Sequence, residues 1–401
     1  MTEHVPALQL TSPTVLVTLT GPDHSGVSTR LFEVLSSVDV EVVDVEQLVV
    51  RGRLVLSVLA TEPEDLDPLA TAVRQAAAEL GLDVEIERGA GDNRPRRVGR
   101  SQVTVLGHPL RPAAMAALTA RIKAADGNID RILRLARYPV TALRLEVSGA
   151  DPDVLQSDLA QAAFEHGIDV AVEERGILRH AQRLVVMDVD STLIQGEVIE
   201  MLAEHAGCAQ EVASVTEAAM RGELDFEQSL RQRVARLQGV PVAALDEVYE
   251  NLVYTPGART MIRTLKRLGF RFALVSGGFT HIIERIARDF GIDYHAANEL
   301  EIVDGRLTGE VVGPVVDRAG KAEALRRFAA AARIGIKNTI AVGDGANDLD
   351  MLAAAGLGIA FNAKPAVRGQ ARTSVNSPYL DSIVYFLGIT REEIEAADAD
   401  D

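Results

Sequence analysis

Three aspartates of this sequence could together form an anionic site. Asp188 and Asp190 lie in MDVDSTLI and Asp344 in GDGAND, each at or just past the end of an apolar run. Open α/β sheets bind their ligands at the carboxyl ends of parallel strands. The two-residue period of an extended chain points Asp188 and Asp190 to the same side, where they repel unless a cation lies between them. The pattern predicts a Mg²⁺ site, although each aspartate alone could be a helix N-cap.

Two further segments predict contacts with a phosphoryl group. SGGF, residues 276–279, follows the predicted strand RFALV and is expected to open a helix whose free N–H groups hold a phosphoryl oxygen, with Ser276 adding a hydroxyl. The alternative is a capping serine with turn glycines. Lys321, in RAGKAEAL, stands at an unfavourable position beside a helix N-terminus, which suggests an anionic partner and not a surface role.

The elements around these residues predict an α/β domain at 181–390. From Arg183 onward each apolar strand is followed by a helix, which predicts a doubly wound parallel sheet with helices on both faces. A polar, helix-rich segment between the first two strands, about 197–255, is interpreted as an inserted helical cap. The acidic tail, 391–401, shows no apolar face and is expected to be disordered.

The first half of the chain contains a diverged repeat. AAAELGLDVEIE, beginning at Ala76, aligns with AAFEHGIDVAVEE, beginning at Ala162, and the turn glycines Gly21 and Gly107 are offset by the same spacing. Each copy predicts the element order βαββαβ of a ferredoxin-like domain. The predicted boundaries are a flexible N-terminus at 1–12, a first domain at 13–88, a linker at 89–100 and a second domain at 101–175.

Composition excludes several classes of partner. The chain has 401 residues with 41 basic and 58 acidic side chains, a formal net charge of −17, and no basic block that could neutralise nucleic acid or an anionic membrane. Cys208 is the single cysteine, which excludes an intrachain disulfide framework. The opening MTEHVPALQL lacks the pattern of a signal peptide, and no apolar stretch is long enough to span a membrane. A cytoplasmic location is therefore expected.

The ordered motifs DVDST, SGG, a lone lysine and GDGAND resemble those of the haloacid dehalogenase superfamily phosphatases. The resemblance implies that Asp188 is the nucleophile and Asp190 the general acid and base. It implies that the Asp188 side chain, the Asp190 backbone carbonyl and Asp344 bind Mg²⁺. It further implies that Asp348 supports the water shell of the metal. The phosphoryl oxygens would be bound by Ser276, Gly277, Gly278 and Lys321.

Within that superfamily the chain resembles the phosphoserine phosphatase family, through Glu197 and the cap stretch EAAMRGELDFEQSLRQRV. The resemblance implies hydrolysis of O-phosphoserine through an aspartyl-phosphate, the last step of serine biosynthesis. Phosphoserine carries an ammonium and a carboxylate, which call for one buried acid and one bidentate cation. Glu197 and Arg233 fit these roles; without the family resemblance, the alternative for Arg233 is the solvated face of a charged helix. The remaining implied substrate contacts are an apolar wall of Met220 and Phe226, and Asn347.

The duplicated half resembles a pair of ACT domains, which implies an amino-acid effector. L-serine is the candidate effector, bound at the turns that begin with Gly21 and Gly107, where backbone can approach a carboxylate. The alternative is that the repeats serve only dimerisation, and a homodimer is expected either way. Two other functions stay open: a phosphatase or phosphotransferase for another small phosphomonoester, and an amino-acid-binding regulatory protein with an inactive catalytic half.

Overall fold

The structure, a computed structural model, describes residues 12–91, 100–174, 183–220 and 223–399. Most of the N-terminus predicted at 1–12 and of the linker predicted at 89–100 lies outside the described residues. The chain divides into two compact units, Met1–Arg96 and Arg97–Asp401. Within the described residues, no helix is both long and apolar enough to cross a membrane.

The first unit has the predicted βαββαβ order. Its elements are β1 (Pro13–Pro22), α1 (Val27–Leu35), β2 (Val42–Val50), β3 (Arg53–Thr61), α2 (Leu66–Glu79) and β4 (Asp83–Ala90). The strands form an antiparallel sheet in the order β2-β3-β1-β4. Alternate residues of β1, among them Val15 and Val17, are buried with α1 and α2 in a separate hydrophobic core.

The second unit begins with the second repeat, which has the same order. Its elements are β5 (Arg100–Gly107), α3 (Pro112–Ala124), β6 (Asn128–Ala136), β7 (Thr141–Ser148), α4 (Pro152–His166) and β8 (Asp169–Glu174). The sheet order, β6-β7-β5-β8, matches that of the first repeat. The prediction of two ferredoxin-like domains is confirmed.

The remainder of the second unit is the predicted doubly wound α/β domain. Its strands are β9 (Leu184–Met187), β10 (Arg271–Phe279), β11 (Tyr294–Val303), β12 (Arg306–Val312), β13 (Thr339–Gly343), β14 (Leu357–Phe361) and β15 (Thr373–Val375). They form one sheet in the order β12-β11-β10-β9-β13-β14-β15. All neighbours are parallel except β11 and β12, so the predicted parallel sheet is confirmed with one antiparallel edge strand.

The domain also contains helices, some on the faces of the sheet and some in the segment between its first two strands. They are α5 (Val198–His205), α6 (Ala209–Met220), α7 (Phe226–Ala235), α8 (Ala243–Glu250), α9 (Ala258–Arg267), α10 (Thr280–Phe290), α11 (Arg318–Ala332), α12 (Leu349–Ala354), α13 (Pro365–Arg368), α14 (Ile383–Phe386) and α15 (Arg391–Ala399). Along β9, Leu184 and Val186 pack with α11 and α12, whereas Val185 and Met187 pack in the core on the other face. Burial on both faces explains why the strand is apolar throughout.

The segment between β9 and α9 is helical, as the cap prediction requires. Helices α5 to α8 fill it, and α7 begins with a capping box in which Asp225 and Gln228 bond each other's backbone N–H groups. The chain leaves the sheet after Asp190, passes through these helices and returns to the sheet at β10. The cap therefore lies in the connection that follows the first motif.

The second repeat packs against the α/β domain through β8. Leu106 and Ala142 of the repeat belong to the same buried cluster as Val185 and Val375 of the α/β domain. Asp169, which is 5% exposed, accepts hydrogen bonds from the backbone N–H and the side-chain amide of Asn376. The second repeat and the α/β domain thus share a core.

The expectation of a disordered tail was wrong for most of its length. Residues Arg391–Ala399 form α15, in which Ile394 is only 2% exposed. Asp398 pairs with Arg263 and Arg267 at 2.5 and 2.8 Å. The tail is ordered because Ile394 is buried and Asp398 pairs with the basic end of α9. The acidic composition of the tail gives no sign of either contact.

Candidate active site

Asp188, directly after β9, forms a buried ion pair with Lys321. Lys321 Nζ lies 2.7 Å from Asp188 Oδ2 and 2.8 Å from Asp348 Oδ1, and its side chain is 1% exposed. The other Asp188 oxygen accepts the backbone N–H of Val189 at 2.8 Å. Lys321 belongs to the first turn of α11, where Asp317 caps the helix. The unfavourable position seen in the sequence is thus compensated by two carboxylates.

Asp190 is held on both of its carboxylate oxygens. Oδ1 accepts the backbone N–H of Val198 at 2.8 Å, and Oδ2 accepts the Ser276 hydroxyl at 3.0 Å. Ser276 is fully buried. A Cβ on Gly278 would lie 3.0 Å from both Asp190 Oδ2 and Ser276 Oγ, so a side chain there would force this pair to shift. The DxD spacing therefore places Asp190 beside Asp188 with a fixed orientation.

The SGGF segment differs from its prediction. It ends β10 and does not open a helix, because α10 begins at Thr280 after a register irregularity between Val275 and Phe279. The Gly278 N–H donates to Ser276 Oγ at 2.8 Å. Asn298, which is 1% exposed, donates from its side chain to the Gly277 carbonyl at 2.8 Å and so braces the segment.

Asp344 and Asp348 come from the turn after β13. Asp344 Oδ1 accepts the Thr192 hydroxyl at 2.8 Å, and Asp348 Oδ2 accepts the Gly345 N–H at 2.9 Å. Gly343 leaves no room for a side chain, because a Cβ there would collide with the Asp348 carboxyl group. The GDGAND glycines thus let Asp348 fold back toward the strand end and Lys321.

Asp188, Asp190, Asp344 and Glu197 carry raised pKa values. Burial is the main cause in each case, raising the pKa of Asp188 well above its usual range, of Asp344 to about 6 and of Glu197 to about 7. Burial also raises the pKa of Asp190, although hydrogen bonds from Val198 and Ser276 oppose the shift. Burial would lower the pKa of Lys321, but Asp188 and Asp348 outweigh it and raise that pKa. Buried negative charge therefore exceeds buried positive charge.

The residues fit a hard divalent cation. Asp188, Asp344 and Asp348 each present one carboxylate oxygen, and these three atoms lie within 4.8 Å of one another. Mg²⁺ prefers carboxylate oxygens as ligands. A bound cation would also offset the excess of buried negative charge. Hydrogen bonds from Lys321 and Gly345 orient both oxygens of Asp348 within this group.

Cap residues line the other side of the cluster. Phe226, the first residue of α7, lies with its Cζ 3.1 Å from where a Gly277 Cβ would stand. Burial lowers the pKa of Arg233, and the charges of Glu197, Glu200 and Asp190 oppose this shift. Glu197, the N-cap of α5, accepts the Ser191 hydroxyl at 3.3 Å. Asp190, Glu197 and Arg233 are thus close enough to influence one another.

The structure describes the side chain of only one of the two other predicted substrate contacts, Asn347 and Met220. Asn347 is half-buried in the GDGAND turn, whereas the side chain of Met220 lies outside what the structure describes. Thr192 and Asn298, which orient Asp344 and the SGGF segment, were not selected from the sequence. Thr192 follows the two aspartates within DVDST, which was a usable signal; Asn298, far along the chain on β11, offered none.

The two turn glycines of the repeats have packing roles of their own. A Cβ on Gly21 would lie 2.5 Å from Leu82 Cδ2, and one on Gly107 would lie 2.9 Å from Leu110 Cα. The contact at Gly107 excludes a side chain whether or not a ligand binds, whereas at Gly21 the tip of the Leu82 side chain would have to shift. Close packing against backbone therefore accounts for Gly107, whereas at Gly21 the φ of +156° disfavours other residues.

Comparison with known proteins agrees with these features. The haloacid dehalogenase-like hydrolase family model matches residues 185–353, and ACT domain models match residues 13–87 and 100–173. A phosphoserine phosphatase of Streptomyces coelicolor is 59% identical over 97% of this chain and 96% of its own length. The chain belongs to the phosphoserine phosphatase family. The family resemblance expected from the four motifs and the two repeats is thereby confirmed.

Further relatives place the whole architecture within the phosphoserine phosphatase family. A phosphoserine phosphatase of Mycobacterium tuberculosis is 54% identical over 96% of both chains. The crystal structure of a probable phosphoserine phosphatase from Vibrio cholerae, 38% identical, superposes with a TM-score of 0.57 over 72% of this chain and 86% of that chain. The Streptomyces and Mycobacterium matches extend over nearly the whole chain, so the family likeness is not confined to the catalytic domain.

Proposed function

We propose that this chain hydrolyses O-phosphoserine to L-serine and phosphate, the last step of serine biosynthesis, through an aspartyl-phosphate at Asp188. The observation that carries the proposal is the grouping of Asp188 and Asp190, directly after β9, with Lys321 of α11, whose Nζ lies 2.7 Å from Asp188 Oδ2. The full-length relatives are named phosphoserine phosphatases, which supports the same substrate.

The chemistry divides one displacement into two easier steps. In the first, a carboxylate oxygen of Asp188 forms a bond to phosphorus, the bond from phosphorus to the seryl oxygen breaks, and Asp190 gives that oxygen a proton. In the second, water attacks phosphorus, Asp190 takes a proton from the water, and the acyl phosphate bond breaks to release phosphate and Asp188. The raised pKa of Asp190 suits a group that first holds and then recovers a proton.

The phosphoryl group would be bound from several sides. The Ser276 hydroxyl, the Gly277 and Gly278 N–H groups and Lys321 supply donors for its oxygens, with a phosphoryl oxygen replacing Ser276 as the acceptor of the Gly278 N–H. Mg²⁺, held by Asp188, the Asp190 carbonyl and Asp344 with support from Asp348, would neutralise charge on the nucleophile and the phosphate.

The cap would select the amino-acid end of the substrate. Glu197 faces the ammonium and Arg233 the carboxylate, while Phe226 and Met220 exclude water and Asn347 contacts the polar end. The mutual influence of Glu197 and Arg233 supports this assignment, since a zwitterion requires opposite charges at close range.

The two ACT domains would bind L-serine at the turns of Gly21 and Gly107 and lower the activity. The matches to ACT domain models support an amino-acid effector. A coupling free energy of about 1 to 3 kcal/mol would give inhibition of about 5- to 150-fold. We also propose that the protein is a cytoplasmic homodimer.

The proposed substrate and metal are tested together by phosphate release from O-phosphoserine, O-phosphothreonine and a sugar phosphate, with Mg²⁺ and with a chelator. The proposal expects phosphoserine to have the highest kcat/KM and turnover to require Mg²⁺. A higher kcat/KM for either of the other two esters would contradict phosphoserine as the preferred substrate. Full turnover in the presence of the chelator would contradict the requirement for Mg²⁺.

A further inference from the structure

The hairpin formed by β11 and β12 lies at the edge of the catalytic sheet and contacts the cap. Its turn is the dipeptide Asp304-Gly305, with φ values of 50° and 74°. Two left-handed residues are what a tight two-residue hairpin turn requires. The hairpin is therefore a short, well-defined extension of the sheet beside α7.

The cap pairs with this hairpin through its backbone. The segment after α7 donates from Gly239 N–H to the Leu307 carbonyl at 2.8 Å, and Leu307 N–H donates to the Val240 carbonyl at 2.9 Å. The Val242 N–H donates to the Gly305 carbonyl at 2.9 Å. The connection from α7 to α8 thus pairs with β12 through an isolated antiparallel bridge between Pro241 and Arg306.

Helix α7 itself lies directly on β12. Gly309 has a φ of +87°, and a Cβ there would stand 3.3 Å from Ala235 Cα and 3.1 Å from Gln238 Cβ. Arg231, on α7, donates from Nη1 to the Val311 carbonyl at 3.0 Å and pairs with Glu227 one turn earlier. A side chain at Gly309 would force the helix or the strand to shift by a few tenths of an ångström.

These contacts determine which way α7 faces. Arg231 and Arg233 are two residues apart, which is about 200° around a helix. The hydrogen bond of Arg231 to the hairpin therefore turns Arg233 toward Glu197 and Asp190 on the opposite side. The same orientation brings Phe226 over Gly277.

We propose that the β11–β12 hairpin, through Gly309 and Arg231, is a positioning element for substrate selectivity. It holds α7 so that Arg233 and Phe226 meet the amino-acid end of the substrate while the phosphoryl chemistry proceeds elsewhere. The inference rests on the proposed phosphoserine phosphatase activity. Neither Gly309 nor Arg231 contacts the carboxylate cluster in the residues that the structure describes.

The test compares three glycine substitutions in the full-length protein. Gly309→Ala adds a methyl group against α7, whereas Gly305→Ala and Gly313→Ala are matched controls, with φ values of +74° and +72° and nothing within 4 Å of the added Cβ. Each variant is assayed with O-phosphoserine and with p-nitrophenyl phosphate, which has neither ammonium nor carboxylate.

Because displacements of about 1 Å can lower the rate of catalysis about 100-fold, Gly309→Ala is expected to raise KM for phosphoserine about tenfold or more. Its kcat/KM for p-nitrophenyl phosphate should stay within about twofold of wild type, as should both substrates in the controls.

A second variant keeps the test decisive if Gly309→Ala does not fold. Arg231→Met removes the hydrogen bond to Val311, and Glu227→Gln, its control, weakens the ion pair but leaves that bond in place. Arg231→Met should raise KM for phosphoserine selectively, whereas Glu227→Gln should not. Equal losses on both substrates, or no change in phosphoserine KM beside an active wild type, would overturn the positioning role alone. A wild-type enzyme that does not hydrolyse phosphoserine would overturn the proposed function and this inference with it.

Discussion

Lys321 Nζ lies 2.7 Å from Asp188 Oδ2 and 2.8 Å from Asp348 Oδ1, with all three side chains at most 5% exposed. One cation thus joins two motifs that are far apart in the sequence. Removing one partner of such a buried group would leave an uncompensated charge, at a cost of about 3–5 kcal/mol. The arrangement fixes the orientation of the proposed nucleophile.

Asp188→Asn is expected to abolish turnover, by about a thousandfold or more, because an amide cannot form the acyl phosphate. Trapping by beryllium fluoride, a mimic of the phosphoryl group, should be lost at the same time. Phosphate release and inhibition by beryllium fluoride measure the two effects, with thermal unfolding as the control for folding. Turnover within tenfold of wild type would remove Asp188 as the nucleophile.

Arg233→Ala is expected to raise KM for phosphoserine about 10- to 100-fold with little effect on p-nitrophenyl phosphate, because only the former carries a carboxylate. Arg236→Ala is the matched control, since Arg236 is an exposed arginine at the end of the same helix. Steady-state kinetics on both substrates supply the measurement. A parallel loss on both would assign Arg233 a structural role.

Asp169 should make stability depend on pH. Burial raises its pKa to about 7 against the opposing hydrogen bonds from Asn376. Because the folded state then holds this proton more tightly than the unfolded chain, the free energy of unfolding falls as pH rises from about 4 to about 7, by up to about 4 kcal/mol.

Asp169→Asn should remove this dependence, so that the variant gains stability relative to wild type between pH 5 and pH 8. Urea unfolding at both pH values measures the difference. Asp153→Asn serves as the control, because its side chain is 92% exposed. Parallel pH profiles for wild type and Asp169→Asn would show that the carboxyl group is ionised throughout.

L-serine is expected to inhibit the full chain partly through the first ACT domain. A variant that begins at Arg100 removes this domain but keeps the second, whose Leu106 and Ala142 share a core with the catalytic domain. It should lose the noncompetitive component of inhibition and keep any competitive component. Initial rates over a grid of serine and phosphoserine concentrations separate the two. Identical inhibition of both chains would contradict regulation through the first domain.

The local patterns of the sequence sufficed for the fold class and for most of the candidate site. Strand-end aspartates, turn glycines and the βαββαβ repeat are set by short-range geometry, and the structure has them where the periodicity predicts. The strand-end positions of Asp188, Asp190 and Asp344 also predicted that these aspartates converge, because parallel strands end at one edge of a sheet.

Tertiary structure decided what depends on partners distant in the sequence. Lys321 is shared by Asp188 and Asp348, SGGF continues β10 instead of starting a helix, and the acidic tail folds because Ile394 is buried and Asp398 meets Arg263. Burial and charge pairing between remote residues carry no periodic signal, so composition predicted the tail wrongly. The orientation of α7 on Gly309 likewise depends on a hairpin more than seventy residues away.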